Sequence, residues 1–391
     1  RASGEAPHQQ RICDPRGEVR GRYSLIGLDP DLVFRATGDA AEINSDWQRS
    51  RDAFTACEAG TLESLRGLVE ACRCDVPSVL PPALACLVGH FGYETIGLVE
   101  KLPRPEQAGV DVPDMLFVRP TVLLVFDRLS DALYCIAPVW PDGSIEKSGE
   151  RIDEVLRKLA QPLPTAPRSD MDHPEPEFAP TMSAADYETM VLRAKDYIEA
   201  GDIFQVVLSQ RFTAPFSLPP MALYRALRRV NPSPFLYLLD MPGVAIVGSS
   251  PEILVRVRDG EVTIRPIAGT RPRGATQAAD RSAEQSLLSD PKERAEHLML
   301  LDLGRNDVGR VADLRVVDQT NQVTFGHVGH PAQKTSAPAA VLASSSSGSG
   351  YMPKNRSPTK VLRIASLMGA PELKRPSTGG GERYITLTTL R

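Results

Sequence analysis

Six prolines stand among polar residues between Gln161 and Pro180: Pro162, Pro164, Pro167, Pro174, Pro176 and Pro180. Each lacks a backbone N–H and has a fixed φ, so neither a helix interior nor a central strand can run through this stretch. It cuts the chain into two bodies that must each find a core, and we read it as a linker over 161–180. The 391 residues around it are long enough for two or three such cores. With 42% apolar and 24% charged residues, disordered and fibrous classes are excluded. No run approaches the ~18 consecutive apolar residues of a membrane span, and residues 1–22 lack the apolar centre of a secretion signal. We therefore expect a cytoplasmic protein with no membrane partner.

The six cysteines, Cys13, Cys57, Cys72, Cys74, Cys86 and Cys135, all precede the linker. Cys72 and Cys74 are one residue apart, without the CxxC spacing and second pair of a zinc site, so buried or free thiols are expected. The formal charge of −4 is uneven: residues 313–391 hold ten Lys and Arg against four Asp and Glu, on an otherwise acidic body. These basic residues are dispersed without interleaved aromatics, which argues against nucleic acid as a partner.

Residues 1–18 show no period and are read as irregular. In 19–160, Gly21 to Leu28 and Leu32 to Arg35 read as strands, Thr61 to Arg73 and Ile145 to Leu159 as amphipathic helices, and Leu116–Asp127 with Ala132–Val139 as an antiparallel set. An α+β domain follows.

In 181–312, Ser183 followed by Asp186 is a capping box, with Gly201 as the stop of that helix. Ile203–Phe212 alternates as a strand, with Gln205 a polar group on one of its faces. After a short helix, Met221 to Val230, four runs read as an antiparallel meander: Phe235–Asp240, Val244–Gly248, Ile253–Arg258 and Glu261–Pro266. The last pair is joined by Asp259-Gly260. A helix spans Arg281–Ser289. Asp290 then caps another, with Pro291 in its first turn and Glu293, Glu296 and His297 on one side.

Three separated segments of this half carry polar groups at element ends. Glu293 and Glu296, one turn apart, suit a hard divalent cation, or equally a self-capped helix end with a solvated neighbour. Glu252, after Ser249-Ser250-Pro251, is placed to act as a general acid or is an ordinary turn carboxylate. Ala268-Gly-Thr-Arg-Pro-Arg-Gly can bring backbone N–H groups and Arg271 or Arg273 to an anion, or is a plain basic loop.

Taken together, Tyr197 to Arg211, Asn231-Pro-Ser-Pro, Gly248-Ser-Ser-Pro-Glu, Pro266 to Gly274 and Asp290 to Val311 resemble the chorismate-binding enzyme family. Within it they are most similar to the large subunit (component I) of anthranilate synthases; Gly21-Arg-Tyr-Ser and Phe91-Gly-Tyr-Glu resemble its first domain. The resemblance implies antiparallel sheets packed as a sandwich with outer helices. It also implies a Mg2+-dependent conversion of chorismate and ammonia to anthranilate and pyruvate in tryptophan biosynthesis. Glu296 would be a Mg2+ ligand with Glu293 beside it, and Glu252 the acid for the departing hydroxyl. Gly269 and Thr270 would contact substrate, and Pro234, Phe235 and Leu236 would line a tryptophan feedback pocket. A glutamine amidotransferase subunit (component II) would supply ammonia within a heterotetramer.

Two positions discriminate among relatives. Those that add water carry a lysine where this chain has Gln205, and those that make aminodeoxychorismate carry a lysine where it has Ala268. Both favour anthranilate synthesis over these relatives, an aminodeoxychorismate synthase component I included; a catalytically dead chorismate-fold protein acting as a binding or partner module is the alternative that an anthranilate assay separates.

The motif match runs over about 19–312. The family's later segments, including a Ser-Gly-Ala-Pro-Lys and a Tyr-Gly-Gly run and a second Mg2+ carboxylate, are not recognisable in 313–391, nor is Leu-Leu-Glu-Ser before Glu18. We expect a reading frame that departs from the family's at both ends, a basic tail without regular structure, a fold aberrant at its C-terminal side, and a site at most weakly active as written.

Overall fold

The structure is a computed structural model that describes residues 22–73, 76–77, 80, 84, 87–103, 110–140, 143–162, 176–258, 260–312, 316–317, 323–325 and 384–390. Most of the expected linker lies outside these residues, as do Asp259, Cys13, Cys74 and Cys86. Cys72 is buried and Cys57 and Cys135 are half-buried.

The first body holds β1 (Tyr23–Leu28), β2 (Leu32–Thr37), β3 (Ala40–Asn44), β4 (Thr55–Ala56), α1 (Thr61–Ala71), β5 (Val88–Phe91), β6 (Met115–Arg119), β7 (Val122–Asp127), β8 (Ala132–Ile136) and α2 (Ile145–Leu159). They form a five-stranded sheet in the order β4-β3-β2-β6-β5 and a three-stranded sheet β1-β7-β8, antiparallel throughout. β2 shows why the larger sheet sits where it does. Successive side chains alternate across a strand, and here both faces are apolar. Leu32, Phe34 and Ala36 join Leu65 and Leu68 of α1 in one core, while Val33 on the other face joins Leu239 and Met241 from the second half of the chain. The sheet is thus covered on both sides, and the second covering layer comes from beyond the linker. Helix α2 closes the smaller sheet through Val155, packed with Val122 and Leu124.

The second body contains β9 (Ala179–Pro180), α3 (Ala184–Ala200), β10 (Ser209–Pro215), α4 (Pro220–Val230), β11 (Phe235–Met241), β12 (Val244–Ser250), β13 (Arg256–Arg258), β14 (Glu261–Ile264), α5 (Gln277–Ser289), α6 (Pro291–Gly309), β15 (Val316–Val317), β16 (Val323–Phe325) and β17 (Tyr384–Leu390). The expected caps are present. Ser183 Oγ accepts from the Asp186 amide at 3.1 Å, and Gly201 ends α3 at φ +79. Asp290 caps α6, with Pro291 as its first residue.

Three expectations differ. The strand foreseen over Ile203–Phe212 begins only at Ser209, so Gln205 lies on irregular chain. A strand persists where its N–H and C=O groups find a ladder, and the partners of β10, namely β9 and β17, reach only residues 209–215. The foreseen meander is instead two hairpins in separate sheets, β11-β12 and β13-β14. Pro251 has no N–H to donate, and Ser250 Oγ donates to the Glu252 carbonyl at 2.9 Å, which turns the chain out of the ladder. Finally, the tail expected to lack regular structure contributes β15, β16 and β17, and β16 pairs with β14.

The α+β expectation with antiparallel sheets and outer helices holds. α6 lies across β14, where Val308, Ala312 and Leu301 pack with Val262, Val257 and Ile264. This contact anchors the C-terminal half of α6 and points its N-terminal turns at the loop that follows β14.

Candidate active site

Site geometry starts at the N-terminus of α6. Asp290 Oδ1 accepts from the amides of Lys292 at 3.0 Å and Glu293 at 3.3 Å, satisfying donors that have no partner within the helix. Bonds from the Glu293 and Lys292 amides and the nearby Arg271 guanidinium hold the Asp290 carboxyl below its ordinary titration range. One turn on, Glu293 and Glu296 stand on the same side, as their spacing predicts.

The loop after β14 folds back onto that turn. Gly269 has φ +70, and a Cβ there would sit 2.5 Å from Glu293 Oε2 and 2.9 Å from Leu287 Cδ1. Glycine takes this conformation without strain, and any larger residue would have to displace those two side-chain ends. Arg271 then reaches two carboxylates of α6: Nη2 donates to Asp290 Oδ2 at 2.7 Å and Nη1 to Glu293 Oε1 at 3.3 Å. Arg273 pairs with Asp280 in the first turn of α5 at 3.0 Å. Both loop arginines, foreseen as possible anion contacts, are thus engaged by helix N-terminal carboxylates. Ala268 is half-buried and Thr270 exposed beside them.

Gln205 closes the group from the irregular segment after α3, its Nε2 donating to Glu296 Oε1 at 3.3 Å. Gln205, Gly269, Arg271, Glu293 and Glu296 thereby come together from three stretches of chain. Of these, Arg271 was foreseen as a possible anion contact or a plain basic loop residue; its split between two carboxylates depends on where α6 docks.

Glu252 lies on the connection from β12 to β13. It follows β12, whose last residues are tied to Asn231-Pro-Ser-Pro: Ser249 Oγ donates to the Asn231 carbonyl at 2.7 Å, and Ser233 Oγ to the Ser250 carbonyl at 2.8 Å. Phe235 and Leu236, next to Pro234, pair with Ser250 and Ser249. The strand leading to Glu252 is therefore the direct neighbour of the residues foreseen for a feedback pocket.

A family-wide sequence comparison matches residues 13–340 to the chorismate binding enzymes. The chain belongs to that family. The matched span begins before Glu18 and continues past Ala312, beyond the motifs quoted above. Within the family, the chain is 46% identical to anthranilate synthase component 1 of Cereibacter sphaeroides over 80% of its own length and 65% of the relative's. It is 43% identical to that of Pseudomonas aeruginosa over 79% and 64%. Among solved structures, anthranilate synthase component I from Streptococcus pneumoniae superposes with a TM-score of 0.65 at 28% identity, over 84% of this chain and 77% of that one. The chain thus spans about two thirds of the length of the curated relatives it matches.

A Mg2+ ion, which the family resemblance implies, can be tested against these residues. Glu293 and Glu296 are hard oxygen donors one helical turn apart, and Mg2+ commonly takes one or two carboxylates, completing its shell with substrate and water oxygens. Among the described residues no group of three His, Cys, Asp or Glu converges for a metal. The pair fits the first requirement and leaves the remaining positions to substrate and water.

Proposed function

We propose that this chain is an anthranilate synthase component I, converting chorismate and ammonia to anthranilate, pyruvate and water. The observation that carries the reading is the contact between Gln205 and Glu296 beside the Gly269 loop. The amide stands where water-adding relatives hold a lysine base, and ammonia is already a nucleophile and needs no such base. In the first step the nitrogen bonds to C2 of chorismate as the ring double bonds shift and the C4 hydroxyl leaves. Glu252 gives that hydroxyl a proton and the excess proton on nitrogen is released, so water departs. In the second step the C2 proton is removed and the ring C3–O bond breaks, restoring the aromatic ring, while the departing enolpyruvyl group takes up a proton at its methylene carbon and leaves as pyruvate.

Gly269 and Thr270 line the substrate with backbone groups, and Ala268, lacking an amine, offers no nucleophile to capture the ring. Glu296 and Glu293 would hold Mg2+, which when bound offsets the substrate's carboxylate charge. Gln205 orients Glu296 through its amide. Pro234, Phe235 and Leu236 would take tryptophan as a feedback ligand, and a glutamine amidotransferase subunit would deliver ammonia. We place the protein in the cytoplasm; no helix among its described residues is long and apolar enough to cross a membrane.

The test is anthranilate fluorescence with chorismate, ammonium and Mg2+, repeated without the cation. Mg2+-dependent anthranilate supports the reading. Accumulation of aminodeoxychorismate would move the chain to the other ammonia-using branch, and binding of chorismate without turnover would make it a binding module.

A further inference from the structure

We propose that Arg271 is a positioning residue: it pins the Gly269–Thr270 loop to α6 and holds Glu293 out of full engagement with a cation, rather than anchoring substrate. The proposal rests on the reading of α6 as the cation-bearing helix. Arg271 and Glu293 are mostly covered, with side chains 27% and 16% exposed. The two oxygens of Asp290 divide their work: Oδ1 caps the helix through the Lys292 and Glu293 amides, and Oδ2 takes Arg271 Nη2 at 2.7 Å. The second arm of the same guanidinium, Nη1, donates to the Thr270 carbonyl at 3.0 Å and to Glu293 Oε1 at 3.3 Å. One planar fork therefore ties loop backbone, helix cap and site carboxylate together, a geometry that a single ammonium cannot reproduce.

Two consequences follow for Glu293. Its Oε1 is shared with a fixed positive charge, and its Oε2 occupies the space that a side chain at position 269 would need, with an added Cβ 2.5 Å away. To chelate a cation with both oxygens Glu293 would have to give up its bond to Arg271. Glu296, which accepts from the neutral amide of Gln205, is left as the principal cation-facing carboxylate.

The test compares the full-length chain with Arg271→Gln and Arg271→Lys, using Mn2+ as the probe. Free Mn2+ is read by electron paramagnetic resonance, and loop protection by hydrogen exchange over residues 268–274. Removing a positive charge this close to a carboxylate should tighten Mn2+ binding in Arg271→Gln by about threefold or more. The loop amides of the same variant should exchange about tenfold faster, with unchanged far-ultraviolet circular dichroism. Arg271→Lys keeps the charge and loses the fork, so it should restore Mn2+ affinity while the loop stays fast. In steady state, Arg271→Gln should lose kcat with chorismate KM little changed.

Loop exchange unchanged in Arg271→Gln overturns the proposal, as does weaker Mn2+ binding or a raised chorismate KM with the loop still protected. If Arg271→Gln does not fold, Arg271→Lys decides by its loop exchange alone. A wild-type chain that makes no anthranilate, combined with the expected Mn2+ and loop changes, counts against the anthranilate reading and leaves the role of Arg271 standing.

Discussion

At the scale of single residues, the site depends on close approach more than on chemical type. Gly269 and Gly243 both have left-handed backbone, φ +70 and φ +78, yet a Cβ at Gly243 meets nothing within 4 Å while one at Gly269 meets Glu293 and Leu287. Gly243→Ala should therefore cost only the left-handed strain, about 1 kcal/mol. Gly269→Ala carries that cost and must also displace the ends of the Glu293 and Leu287 side chains, so we expect about 2 kcal/mol and reduced activity. Urea denaturation of the two variants against the parent measures the difference, and equal costs would mean that the loop does not sit on Glu293. Glu293 and Glu296 were legible in the sequence because helical spacing alone puts them on one side. Arg271 was legible as a possible anion contact but its partners were not, because they are 19 and 22 positions away and meet it through docking of a helix.

At the scale of elements, helices whose ends carry their own signals were readable, and strands that depend on partners were not. α3 has Ser183 and Gly201, and α6 has Asp290 and Pro291, so their starts and the stop of α3 are local chemistry. The segment 203–208 alternates like a strand but has no ladder among the described residues, and the meander breaks at Pro251 for the same kind of reason.

The cap of α6 also makes a pH signature. The Asp290 carboxyl titrates below its ordinary value because the Glu293 and Lys292 amides and Arg271 favour its charged form. A depressed folded value means that the unfolded chain binds more protons in the acid range. This stabilisation is complete above the ordinary carboxylate range and is lost as pH falls through the folded value. Asp290→Asn keeps a capping oxygen without titrating. Urea denaturation at neutral pH and at about pH 3 should show a shallower loss in the variant than in the parent; equal losses would remove Asp290 from the acid response.

For the molecule as a whole, each body combines a buried core with apolar side chains left uncovered at its surface. Phe34 is fully buried between β2 and α1, whereas Phe204 is 88% exposed, and Leu298 and Leu303 on α6 are 60% and 56% exposed. Phe34→Ala should cost about 3 to 5 kcal/mol. Phe204→Ser should change stability by no more than about 0.5 kcal/mol and should lower binding of an apolar fluorescent dye. Chemical denaturation and dye titration check both, and a large destabilisation from Phe204→Ser would show that this face is covered in solution.

Local information in the sequence by itself determined the α+β class, the capped helices, the membership of Glu293 and Glu296 in one helical face, and the family. Each of these rests on neighbours a few positions apart or on motifs in order along the chain. Only the tertiary structure decided that the β11-β12 hairpin covers the N-terminal sheet, that Gln205 meets Glu296, and that Arg271 is spent on α6. Those facts join residues far apart in sequence, where the deciding terms are which apolar faces find each other and which buried polar groups find a partner.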